Sequence, residues 1–163
     1  MKDSLFVATA MSLVGCFLSP IPDTKTPADH AREFAARCTS FSEETAEPAL
    51  APSQVEAVEP AYSFVSSGPV DRQAHLRGAL LHLRPAPALS RESVQRSLEC
   101  HQARVALGSG RQLADDPYVL PGAWLDVDVD SEGDGFVVAV RADRLADAKA
   151  VLDRARRFAA SKR

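Results

Sequence analysis

Over residues 125–130 apolar and acidic side chains alternate without a break, Leu125, Val127 and Val129 against Asp126, Asp128 and Asp130. Successive side chains of a strand point to opposite faces, so only a half-covered sheet buries the first set and wets the second. Ser131-Glu132-Gly133-Asp134-Gly135 reads as a turn, and residues 136–140 return as a more apolar strand. Asp143 then opens a helix expected to bury Leu145, Ala148, Leu152, Ala155 and Ala159.

The same plan occurs earlier in the chain. Gly78-Ala79-Leu80-Leu81-His82-Leu83-Arg84 parallels Gly135-Phe136-Val137-Val138-Ala139-Val140-Arg141, and each run follows another strand and precedes a helix. The earlier strand carries Val58, Tyr62 and Phe64 at a period of two, with an interruption or bulge expected at Pro60. Ser66-Ser67-Gly68-Pro69 is its loop, and residues 76–84 form the second strand, ended by Pro85-Ala86-Pro87. Ser90 caps the following helix, whose inward stripe is Val94, Leu98, His101 and Val105 and which Gly108 and Gly110 end.

Two strand-strand-helix units joined edge to edge predict an α+β fold of two layers, a four-stranded, mainly antiparallel sheet with both helices on one face. A further N-terminal helix is announced by Thr26 as cap, Pro27 at the first helical position and Asp29 three residues after the cap. It is expected to run to about Cys38, with Ala31, Phe34, Ala35 and Cys38 inward and Arg32 and Glu33 in water. Residues 40–54, with three glutamates and two prolines, read as a solvated connection.

Upstream lies a segment that reads as an address. Lys2 is followed by an apolar run over residues 5–14 and then by small residues, the order of a secretory signal. The run is too short to span a bilayer, which needs roughly 20 apolar residues. Leu13-Val14-Gly15-Cys16 resembles the lipobox of bacterial lipoproteins. The resemblance implies removal of residues 1–15, diacylation of Cys16 and a membrane anchor, with residues 16–25 as a proline-containing tether and 26–163 as one α+β domain. With Phe17 after the cysteine in place of aspartate, it also implies an envelope protein retained at the outer membrane and facing the periplasm. Over the exported part the chain is similar to small single-domain bacterial lipoproteins, a likeness that implies no activity.

Two cysteines remain, Cys38 and Cys100, a natural disulfide pair in an oxidising compartment. Closing that loop stabilises by about 4 kcal/mol on the chain-entropy model. Ser97-Leu98-Glu99-Cys100-His101 would be a c-type haem attachment site if Ser97 were cysteine; lacking it, the chain is expected to carry no cofactor. His101 and His30, drawn together by the bridge, are the candidate metal or ligand pair, although a closed zinc site wants four ligands.

The acidic run Asp126, Asp128, Asp130, Glu132 and Asp134 departs from the EF-hand pattern and leaves only loose divalent-ion binding at the hairpin tip. Residues 112–140 hold seven acids and no base, whereas 141–163 hold eight bases and three acids. That basic end either compensates the acidic hairpin or meets anionic lipid or polymer. The total of 19 bases and 22 acids, net -3, argues against a nucleic-acid partner. No nucleophile elbow, His-Glu-x-x-His or phosphate-binding glycine loop is present, so no catalytic residue is assigned. The reading is a non-catalytic binding or assembly module, with the membrane and another envelope protein as partners; a periplasmic metal-ion or small-ligand binder is the alternative.

Overall fold

A computed structural model of the chain describes residues 25–39, 50–66, 72–85 and 89–161. Three α-helices and four strands follow in the order α1 (Pro27–Ala35), β1 (Val55–Ser66), β2 (Arg72–Leu83), α2 (Arg91–Ala106), β3 (Asp126–Glu132), β4 (Gly135–Arg141) and α3 (Leu145–Ala160) among these residues. The sheet order is β1-β2-β4-β3 and every neighbouring pair is antiparallel, the α+β architecture that the alternation and the repeat predict. Val127 and Val129 are buried while Asp126, Asp128 and Asp130 are exposed. Val94 and Leu98 of α2 share one core with Ala148, Val151, Leu152, Ala155 and Phe158 of α3 and with Leu81 and Val138 of the central strands. Each helix crosses to the other hairpin: α2 lies along β3, and α3 against β2 and β1.

The likeness of the two units is therefore a symmetry of packing. Gly78 pairs with Arg141 and Leu83 with Phe136, so the two similar heptads lie antiparallel beside each other at the middle of the sheet. A side chain on Gly78 would strike the carbonyl oxygen of Val140, and one on Gly135 would strike that of Leu83. These are the same contact seen from the two halves, because Val140 stands in its heptad where Leu83 stands in the other. Gly78 also has φ +150°, which side-chain-bearing residues rarely adopt.

The two edges of the sheet are treated differently. On the β3 side, the Gln95 side chain of α2 donates to Val127 O at 2.6 Å and accepts from Val129 N at 2.8 Å, as a further strand would. Gln102 adds a bond to Leu125 O, and Arg91 one to Val129 O. β1 forms the other edge and runs unbroken through Pro60, which sits opposite Ala79. Proline is tolerated there because an edge strand can dispense with one outward N–H.

The structure corrects several boundaries. The irregularity expected at Pro60 lies one step on: Ala61 pairs with Gly78 and Tyr62 with Leu76, which leaves Arg77 as the extra residue on β2. The α1 helix ends at Ala35, short of Cys38, because Arg37 and Cys38 turn back to bond Phe34 and Ala35 carbonyls; Cys38 is buried all the same. In α3 the first turn overhangs the sheet, so Leu145 is exposed, and Val151 and Phe158 take the inward places. The Thr26 and Asp29 capping box forms as expected, and hydrogen bonds from Thr26 hold the Asp29 carboxyl below the usual range. Residues 67–71, most of 40–54 and the whole segment before Lys25 lie outside the described residues.

Replacing either central glycine by alanine is expected to cost about 1–3 kcal/mol in urea unfolding, because the partner is backbone and has no room to yield. Gly133→Asn, at φ +57° with nothing near, should cost far less. Equal behaviour of the three variants would remove the joint as a constraint.

Candidate functional site

The cysteines at 38 and 100 form a disulfide, with Cα atoms 5.6 Å apart. This bridge fastens α1 to the side of α2, and Arg104 adds a hydrogen bond to Cys38 O. A second attachment is aromatic. His30 and Phe34, one turn apart on α1, stack on Trp124 at ring separations of 5.4 and 5.3 Å. Trp124 sits just before β3, so α1 spans from α2 to the end of the sheet where β3 begins and β4 ends.

Between α1 and that end of the sheet opens a cleft of about 660 Å³. The aromatic cluster lines one side, and charged groups from the bulge in β2, the start of β3 and the β4–α3 junction line the other. Its charges are matched at short range: Lys25 with Glu33 at 2.7 Å, Arg77 with Asp143 at 2.7 Å, and Arg141 with Asp128 and Asp126. The hydrogen bond to the Asp128 carboxylate raises the Arg141 guanidinium above its ordinary range. An aromatic wall facing paired charges of both signs suits a ligand with an apolar body and polar ends, and does not select one sign of charge.

The histidines are not brought together. His30 belongs to the Trp124 stack, whereas His101 points into the interior and donates from Nε2 to Asp116 Oδ2 at 2.6 Å. Both side chains of the His101–Asp116 pair are only 4% exposed. Asp116 Oδ1 accepts the backbone N–H of Tyr118, and Arg154 ties the same loop by donating to Asp116 O and Val119 O. These bonds fix the turn after α2 around the buried pair. Among the described residues no group of three or more His, Cys, Asp or Glu side chains is placed to hold a metal ion.

The acidic run is spent within the sheet: Arg141 holds Asp126 and Asp128, and His82 Nδ1 lies 2.9 Å from Glu132 Oε2. Asp130 and Asp134 stay exposed at the far end. The basic last helix packs chiefly on β2 and β1 and lightly on β4 of that hairpin. Arg154 serves the carbonyls just named and Arg157 pairs with Asp115 at 2.7 Å, while Lys162 and Arg163 lie outside the described residues, as does Cys16. His75 is exposed on β2, and His82 is half-buried on a central strand rather than at an edge.

Trp124 and Asp116 were not singled out by the sequence. The only signal for Trp124 is its being the single tryptophan, after Pro121-Gly122-Ala123; none joins Asp116 to His101. No helix among the described residues is long and apolar enough to cross a membrane. The chain matches no protein-family model, no curated protein and no solved structure.

Tyr118 offers a test of this interior. Its ring meets Phe158 edge-on, its hydroxyl is buried with no hydrogen-bond partner among the described residues, and burial, aided by Asp116, pushes the phenol far above its ordinary range. The folded state thus keeps this proton better than the unfolded chain. The resulting stabilisation is whole below about pH 10 and is lost as the pH rises beyond it. Tyr118→Phe should be at least as stable as the parent at pH 7 and should lose less stability between pH 10 and 12, read from urea midpoints. An unchanged alkaline slope would refute the account.

Proposed function

We propose that this protein is an exported lipoprotein of the bacterial envelope, anchored through a diacylated Cys16, whose α+β domain acts as a non-catalytic binding or assembly module. One observation carries the reading: of three cysteines, two are joined as Cys38–Cys100, and the one left over is the cysteine of Leu13-Val14-Gly15-Cys16. Disulfides persist in oxidising compartments, and an exported chain enters one. The placement follows the lipobox resemblance, at the outer membrane and facing the periplasm.

The module's binding surface is the cleft beside Trp124, and its partner is another envelope protein. A second reading, a small-ligand binder, draws on the same cleft, whose size and aromatic wall fit a small molecule. It keeps His30 as part of that aromatic wall and no longer draws on His101, which bonds Asp116 in the interior.

Expression of the full chain in a bacterial host, followed by membrane fractionation and intact mass, tests the anchor and bridge together. The expected product begins at Cys16, carries added lipid and gains about two hydrogens on reduction. Cys16→Ser should move the protein out of the membrane fraction and leave its precursor uncleaved. A soluble, unlipidated wild-type product would end this proposal.

A further inference from the structure

The β1–β2 hairpin is longer than the sheet it belongs to. Its four-stranded part ends where Ala61, Gly78, Arg141 and Asp126 stand in one row. Beyond that row β1 continues from Tyr62 to Ser66 paired only with β2, an arm of roughly 17 Å at strand rise. The arm holds three of the five exposed large apolar side chains among the described residues: Tyr62 at 52%, Phe64 at 70% and Val65 at 55%. By register Tyr62 and Phe64 share the helix side with the half-buried Leu76, and Val65 lies on the other side. Leu145, 56% exposed at the start of α3, lines a hollow under the arm with Tyr62 and Leu76. Four large apolar groups exposed at one end of the domain, three on a paired strand and one at a helix start, mark an interaction surface.

We infer that this arm is a membrane-docking surface, on which Tyr62, Phe64, Val65 and Leu145 lie in the headgroup region of the bilayer to which Cys16 is anchored. The inference rests on the anchor proposed above. Two observations choose the bilayer as occupant. The first is the length of chain before the structure. Nine residue steps separate Cys16 from Lys25, a reach of at most about 30 Å. Lys25 lines the cleft together with Arg77 and Asp143, and those two residues also line the hollow under the arm. The tether and the arm thus leave the domain at the same end.

The second observation is charge. Residues 60–77 contain one acid, Asp71, against Arg72, Arg77 and His75. Glu56, Asp130, Glu132 and Asp134 gather at the opposite end, around the row of Val55, Leu83 and Phe136, whereas at the arm's end Asp126 and Asp143 are paired with Arg141 and Arg77. An anionic lipid surface is therefore repelled less by the first end than by the second. Tyrosine and phenylalanine are also suited to a boundary that is apolar on one side and wet on the other. A few inserted side chains bind weakly alone, so the arm orients a domain that the lipid retains.

The test uses the full-length chain in vesicles of phosphatidylethanolamine and phosphatidylglycerol, with intact mass reporting whether Cys16 carries lipid. Phe64→Trp and Asp134→Trp, each in a Trp124→Phe background and checked by circular dichroism, report the two ends. With bromine-labelled acyl chains, emission from position 64 should fall about twofold or more while position 134 is unchanged. A lipidated chain with no quenching at position 64 overturns the docking arm and leaves the anchor standing. Concentration-dependent change at position 64 without vesicles assigns the arm to a second copy and likewise overturns it. If Cys16 proves unlipidated, the anchor reading fails. The docking arm, which needs that anchor to hold the domain at the bilayer, then falls with it.

Discussion

Everything in this domain is arranged about the contact of β2 with β4. At two symmetric places the backbones there leave no room for a β-carbon, Gly78 facing the Val140 carbonyl and Gly135 facing that of Leu83. Two hairpins that would each be marginal alone become one twisted sheet through this seam. The crossing of the helices follows from it, since α2 finds its apolar partner on β3 and α3 on β2 and β1. One core then serves both halves, and neither unit has a buried face of its own.

The fold was largely legible because period-two and helical patterns are local and strong. The Asp126 to Asp130 alternation, the Ser90 and Thr26 caps and the two similar heptads were enough to give the layers and the strand types. The heptads also held the seam, since the glycines that open them are the ones the packing requires. Less legible were features decided by geometry across the chain. The bulge passed from the proline, which an edge strand can absorb, to Arg77 on the partner strand. Leu145 kept its helical phase but lost its cover, because only the two-stranded arm continues beside the helix start.

Of the candidate site, the cysteine pair was legible and the partners of the two histidines were not. Cysteines in such a chain have few partners to choose from, whereas a histidine can be satisfied by any acceptor or ring the fold brings near. Asp116 lies fifteen residues from His101 and Trp124 lies ninety-four from His30. Periodicity has no reach over either separation. Gln95 is a similar case: a polar residue on a helix reads as solvent-facing, yet its amide completes the edge of β3. One edge of the sheet is thereby closed, and the apolar arm belongs to the other.

The bridge between Cys38 and Cys100 also sets how the domain bears load. It joins positions 62 apart in sequence and encloses the whole first hairpin within its loop. A pull on the chain at Lys25 runs along α1 to Cys38 and crosses by a covalent bond into the middle of α2. Residues 39–99 lie off that line and carry no tension. Drag on a domain held by its N-terminus would therefore strain α2 and what packs on it, while β1 and β2 stay slack within a closed ring.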